Sequence, residues 1–295
     1  MKKIENCPIC GNTYFLDFIK VKDFFLSNEE FTIQECKQCQ FRFVNPQPET
    51  EDLQSYYKSQ EYISHSNTKK GLINKIYHIA RIYNLAKKYK YIRKYKKNGT
   101  LLDIGCGTGE FLRYCKNKHW NVLGIEPDEN ARQFAQDVYN LNVKPYKDLL
   151  LIEDHSFDVI TMWHVLEHVQ NVNEYLLEIK RLIKHDGLVF IALPNHLSYD
   201  AQKYQQYWAA WDVPRHLYHF TPISFKKLIQ KYNFTITQII PMKIDSYYVS
   251  LLSEKYKHGK VKYFSAFFNG MKSNCKAKEN SNYSSLIYIL KNDLK

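Results

Sequence analysis

The sequence predicts an α/β protein: a mostly parallel sheet covered by helices on both faces, with a small metal-stapled unit ahead of it. Three observations predict it. Apolar runs of strand length alternate with helical patterns between residues 100 and 240, and such βαβα alternation implies parallel strands joined by crossover helices. The run Leu101-Leu102-Asp103-Ile104 ends in a glycine turn, Gly105-Cys106-Gly107-Thr108-Gly109, just before a helical pattern begins. Two C-x-x-C pairs, Cys7/Cys10 and Cys36/Cys39, lie near the start.

Each element follows in order. Residues 1–45 read as a zinc ribbon. Four thiolates in two pairs suit a tetrahedral, closed and therefore structural zinc. Segments 14–18 and 31–34 are its expected strands, and so small a unit needs a staple. A redox role for the pairs is disfavoured, because the first lies outside any strand–helix unit. Residues 46–97 read as a linker and a basic amphipathic helix. Pro46 and Pro48 keep the start extended, 49–62 suggest a short acidic-then-aromatic helix, 63–70 are polar and linker-like, and 72–97 carry helical spacing up to Gly99.

That helix holds most of the net charge. Of the +12 formal charge, +11 falls within 69–97, which contain no acid. One reading is a phosphate-binding face for RNA or lipid headgroups. The favoured one is a helix packed beside the first strand of the following domain, where its tyrosines serve as a packing face.

Residues 98–295 form the large domain. The expected strands are 100–104, 121–125, a short one near 142–144, 158–162, 187–193, 234–240 and 285–290. The expected helices are 108–118, 128–138, 171–184 and 222–231, with 242–283 a helical insertion before the last strand. The glycine turn lets a ligand approach the backbone and turns N–H groups toward it. Glu126, at the end of Val122-Leu123-Gly124-Ile125, stands about 20 residues past the turn, where an acid accepts from ribose hydroxyls. Asp128 reads as a simple N-terminal charge on its helix dipole, and Thr221 as an ordinary helix cap.

Composition sets limits. Hydrophobic content of 44% and charged content of 24% suit a globular protein. No apolar run reaches the ~18 residues a membrane span needs. Met1-Lys2-Lys3 leads into polar Glu5-Asn6, with no leader-like apolar stretch. A cytoplasmic, reducing location is expected, where seven cysteines point to metal, not disulfides.

Residues 103–112 resemble the first motif of class I S-adenosylmethionine (SAM) dependent methyltransferases. Gly124-Ile125-Glu126-Pro127 is similar to their second motif. Phe157-Asp158-Val159-Ile160, Leu166-Glu167-His168-Val169 and 182–195 resemble later ones, so the resemblance spans about 98–240. It implies a Rossmann-like seven-stranded sheet with an antiparallel last strand, and SAM as methyl donor. It points to the small-molecule branch seen in quinone and sugar biosynthesis, with a small-molecule or glycan acceptor methylated at O, N or C. Two rivals are an RNA methyltransferase gripping the backbone with ribbon and basic helix, and a SAM-binding adaptor without activity.

The resemblance also implies site residues. Asp103 would hold the donor's amino group. Gly105, Cys106, Gly107 and Gly109 would form the close-approach turn. Glu126, with Pro127 beside it, would take the ribose, and Asp148 and Leu149 would border the adenine. Trp163 and His164 would lie near the sulfonium, and His168 would face the substrate. In the aromatic stretch 208–220, for which a packed aromatic loop is the plainer alternative, Arg215 would hold a substrate phosphate or carboxylate, and His216 or His219 would remove a proton. That stretch is long enough to serve as a lid.

Overall fold

Residues 1–57 and 72–292 are described by a computed structural model of the chain. Its first sheet is small and antiparallel. β1 (Phe15–Lys22) and β2 (Glu30–Cys36) form a hairpin, and β3 (Arg42–Val44) pairs with β2. The fourth strand, β9 (Tyr218–His219), comes from far along the chain and sets Arg42 against His219 and Phe43 against Tyr218. The N-terminal sheet is thus finished by a strand of the larger domain. After the short helix α1 (Thr50–Leu53) and a turn to Tyr57, the expected linker 63–70 lies outside the described residues.

The second sheet has seven strands in the order β10-β11-β8-β7-β4-β5-β6. These are β4 (Thr100–Ile104), β5 (Asn121–Ile125), β6 (Val143–Lys144), β7 (Phe157–Trp163), β8 (Ile183–Pro194), β10 (Phe234–Pro241) and β11 (Ser285–Asn292). β11 runs antiparallel to both neighbours, and the β6-β5-β4-β7-β8 ladder is parallel. This bears out the Rossmann-like sheet with its antiparallel last strand. Chain order reverses between β4 and β7, and open α/β sheets place ligands beyond the strand ends at such a point.

Helices α2 (Leu72–Arg93), α3 (Glu110–Lys116), α4 (Glu129–Tyr139), α5 (Val172–Leu182), α6 (Tyr199–Tyr204) and α7 (Pro222–Gln230) cover the sheet and its loops. In α5, Val172, Leu176, Ile179 and Leu182 recur at helical spacing, and all are fully buried. Each such side chain contributes roughly 1.5–3 kcal/mol on leaving water. Asp128 caps α4 by accepting from the Ala131 amide at 2.7 Å, and Thr221 caps α7 in a capping box with Ser224. Tyr89 and Ile92, near the end of α2, are buried against Leu101 and Phe111. The 242–283 stretch contains the two helices α8 (Asp245–His258) and α9 (Tyr263–Asn280).

One expectation is overturned. The stretch 208–220 is not a lid over the large domain. Trp208, Ala209, Trp211 and Val213 are buried together with Val21, Phe31, Ile33 and Val44 of the N-terminal sheet. A lid must separate from its neighbours at little cost, and this segment would expose two tryptophans to do so.

Candidate functional site

The cleft begins where β4 gives way to α3. Gly105 (φ +71°) and Gly107 (φ +54°) occupy the left-handed region, which costs a side-chain-bearing residue about 1–2 kcal/mol. A Cβ on Gly105 would come within 2.4 Å of Val165 Cγ2, whereas one on Gly107 would meet nothing within 4 Å. The outer side of the turn at Gly107 is therefore open. The Gly107 amide donates to Glu126 Oε2 at 2.8 Å, and the Asp128 amide donates to Oε1 at 2.9 Å. An ionised carboxylate has about four lone-pair sites, so these two bonds orient Glu126 and leave acceptors for a ligand.

Glu126 is buried at the tip of β5, and burial raises its carboxyl above the usual range despite both amides. Asp103 is 2% exposed in β4 and accepts from Thr161 Oγ1 at 2.5 Å. Burial pushes it up to about 7, against the opposing Thr161 hydrogen bond and Lys88 charge. The Lys88 ammonium lies 4.6 Å from the Trp163 ring centroid. Desolvation lowers its pKa, with Asp103 and Asp245 opposing. Two buried acids thus flank an open glycine turn without enough positive charge to hold both ionised.

A second cluster lies past β7. His164 sits at φ +59°. Its Nδ1 is 3.3 Å from Glu167 Oε1 and its Nε2 3.2 Å from Asp245 Oδ2. Desolvation disfavours its charge, but the bonds to Asp245 and Glu167 prevail and hold the imidazole at about 9. It is therefore an imidazolium at neutral pH, donating to both carboxylates. Glu167 is fully buried and kept below the usual range by the His164 bond and charge, although desolvation raises it. Its Oε2 has no hydrogen-bond partner among the described residues.

His168 and His216 stand edge to face, with ring centroids 4.5 Å apart. His168 Nδ1 is 3.1 Å from the Arg215 carbonyl and 2.9 Å from the Tyr57 hydroxyl. A carbonyl only accepts, so Nδ1 carries the hydrogen and Nε2 keeps its lone pair. Burial and the His216 charge lower His168 to about 4, so its ring is neutral near pH 7. His216 Nδ1 donates to the Ala210 carbonyl at 2.8 Å, and its Nε2 is 4.0 Å from Glu167 Oε1. Ligand atoms of Glu167, His168 and His216 lie within 4.8 Å of one another.

The other expected residues divide. Trp163 stands edge-on to Phe111, and its Nε1 is buried with no partner among the described residues. Leu149 is buried, Asp148 half-buried, Pro127 exposed and Gly109 buried. Burial pushes the Cys106 thiol up, which suits a small turn residue and not a nucleophile.

Arg215 is not offered to a substrate. It is 3% exposed, and its Nη2 donates to Asp23 at 2.9 Å and Asp212 at 2.7 Å. The physical reason is charge balance: β1 leads to a fully buried carboxylate at Asp23 that needs a cation. His219 is equally removed. It is buried edge-on to Trp211, 4.8 Å between centroids, and burial drives its pKa far down. The sequence reading left out Lys88, Thr161, Asp245 and Glu167 as site residues. Lys88 was hidden in a run of lysines, and Asp245 belongs to the insertion after the shared motifs.

The four N-terminal cysteines come together. Cys7 Sγ and Cys39 Sγ are 3.5 Å apart, as are Cys10 Sγ and Cys36 Sγ, and all four lie within 4.8 Å. Those separations are far beyond a disulfide bond. They approach the ~3.8 Å edge of a tetrahedron with zinc–sulfur bonds of about 2.3 Å.

The fold and the glycine cleft define a nucleotide-binding α/β enzyme class. The family described as a methyltransferase domain matches residues 77–239, more than half of the chain, and the chain belongs to it. It is 30% identical over 104 residues to a ubiquinone biosynthesis O-methyltransferase of Pelagibacter ubique, covering 34% of this chain and 43% of that protein. It is 26% identical over 151 residues to one of Rickettsia bellii, covering 47% and 62%. The chain thus spans about half the length of these curated relatives. Among solved structures, magnesium protoporphyrin IX methyltransferase from Synechocystis PCC 6803 superposes with a TM-score of 0.55 at 11% identity, over 83% of this chain and all of that one. A SAM dependent methyltransferase from Archaeoglobus fulgidus gives 0.51 at 21% identity, over 72% and 94%.

Proposed function

We propose that this chain transfers a methyl group from S-adenosylmethionine to a small molecule, at an oxygen acceptor. The observation that carries the reading is the pair of buried, under-neutralised carboxylates, Asp103 and Glu126, beside the open side of the Gly107 turn. A cationic ligand with vicinal hydroxyls satisfies both at once. The oxygen acceptor follows the O-methyltransferases named among the relatives.

Asp103 accepts from the donor's ammonium and Glu126 from its ribose hydroxyls. Asp148 and Leu149 border the adenine, and Trp163 and His164 line the side nearer the sulfonium. The donor supplies an electrophilic methyl carbon on a positively charged sulfur. Transfer forms the oxygen–carbon bond as the carbon–sulfur bond breaks, and the electron pair of that bond stays on sulfur. His168 takes the acceptor's proton at Nε2, its free lone pair. Its low pKa keeps it unprotonated, and the Arg215 carbonyl holds its tautomer. Glu167, its neighbour in sequence, stabilises the imidazolium charge that appears.

We further propose a structural zinc on Cys7, Cys10, Cys36 and Cys39, in an N-terminal unit of residues 1–45 attached to a catalytic domain of residues 98–295. Calorimetry with S-adenosylhomocysteine tests the cleft. One molecule bound per chain is expected, and no binding overturns the reading. Elemental analysis tests the ribbon, with one zinc per chain expected. A metal-free chain that melts at the same temperature with and without added zinc overturns that part.

A further inference from the structure

Helix α9 is amphipathic the wrong way round. Its buried face is made of small residues, Ala266, Gly270, Ser273 and Ala277, and rests on α8 and α6. A Cβ at Gly270 would come within 2.9 Å of the Tyr247 backbone, so the small face lets the helices meet closely. Its outer face carries Tyr263, Phe264, Phe267, Phe268 and Met271, all exposed, with Phe264 at 84%. Helical spacing puts Phe264, Phe267, Phe268 and Met271 on one stripe. A contiguous apolar patch of this kind marks an interaction surface.

The charge around the patch selects the partner. Residues 243–280 contain eight lysines, every one exposed. Lys257, Lys260 and Lys262 lead into α9, and Lys272, Lys276 and Lys278 follow on it. Of the three acids in the stretch, Asp245 is held by His164, and Glu254 is buried against Tyr204 and Ser265. Only Glu279 is exposed. No helix among the described residues is long and apolar enough to cross a membrane. A second copy of this face would bring lysines against lysines. Exposed phenylalanines flanked in sequence by exposed lysines suit a surface that is anionic outside and apolar just beneath.

We propose that α9 and the turn before it dock the protein on the surface of an anionic lipid bilayer. Phe264 and Phe268 enter the headgroup–acyl boundary, and the lysines meet the phosphates. His164 of the second cluster bonds Asp245, the first residue of α8, so the docked helix pair also borders the cleft. The proposal stands without the methyl-transfer assignment.

The test is flotation of the full chain with vesicles of phosphatidylcholine mixed with phosphatidylglycerol, against phosphatidylcholine alone. Flotation with the mixed vesicles only, weakened by salt, is expected. The Phe264→Ser/Phe268→Ser variant changes two exposed positions and is expected to fold normally. It should partition about tenfold or more less, because two aromatic rings leave the interface. Wild-type protein that fails to float overturns the proposal, as does a double variant that floats equally well. Retention on RNA without flotation assigns the face to a polyanion instead. A wild-type dimer that the variant turns into a monomer, again without flotation, assigns it to self-association.

Discussion

The molecule buries two kinds of carboxylate. Asp23 and Glu167, with the half-buried Asp212, each face a cation of the chain itself: Arg215 for the two aspartates, His164 for Glu167. Those partners outweigh desolvation and hold all three carboxyls below their usual range. Asp103 and Glu126 are also buried, yet both are pushed up. The backbone amides on Glu126 and the desolvated Lys88 facing Asp103 do not offset their burial. A buried charge that the fold neutralises is already satisfied, and one left unneutralised awaits a ligand. The contrast separates the Arg215 region, which joins the N-terminal sheet to the large domain, from the cleft.

The largest effect expected from this contrast falls on stability. Arg215→Met strands Asp23 and Asp212, and breaking a buried pair from one side costs about 3–5 kcal/mol. Denaturant unfolding measures it. An unchanged midpoint would remove the distinction between the two regions. Glu126→Ala should do the reverse, leaving the unfolding midpoint nearly in place. Two charge-assisted hydrogen bonds to the donor disappear, so S-adenosylhomocysteine affinity should drop about 100-fold by calorimetry.

pH gives the next effect. Asp103 in the free protein titrates at about 7, and a cationic donor needs it ionised. Its carboxylate is mostly formed at pH 8 and roughly one-tenth formed at pH 6, so donor affinity should weaken about tenfold across that interval. Asp103→Asn should remove the slope while weakening binding throughout. His164 runs the opposite way. Its folded pKa of about 9 lies above its unfolded value, so its stabilising contribution is complete below about pH 6.5 and disappears as pH rises through 9. Thermal melts of wild type and His164→Ala should therefore converge toward high pH. The smallest effect is Gly107→Ala. Its left-handed backbone costs stability about 1 kcal/mol, and donor binding should suffer more than folding because the added methyl fills the open side of the turn. Gly105→Ala meets Val165 and should lose more stability than Gly107→Ala.

Much of the cleft was legible from short-range pattern. Asp103, the glycine turn and Glu126 lie on one strand–turn–helix–strand unit, and the expected bounds of β5 match the observed strand. The histidines were legible as a group but not by role. His168 and His216 meet beside Glu167, whereas His219, three residues beyond His216, is packed against Trp211. His216 lies in the loop before β9 and His219 within that strand, and the sequence offered no partner from which to choose which ring joins the cluster. The aromatic stretch looked like a lid because its apolar surface had no visible counterpart. That counterpart is the N-terminal sheet.

By itself the sequence determined the features that rest on neighbours a few residues apart: the βαβα alternation, the turn after β4, the cap at Thr221, and the two C-x-x-C pairs. Those follow from backbone geometry, periodicity and chelate spacing, which are local. Tertiary structure alone decided that Arg215 pairs with Asp23, 192 positions away. It also decided that β9 completes the first sheet, that Lys88 turns inward to Asp103, and that Asp245 reaches His164. Each is a choice among many equivalent charges and strands, made by the burial that brings the two elements together.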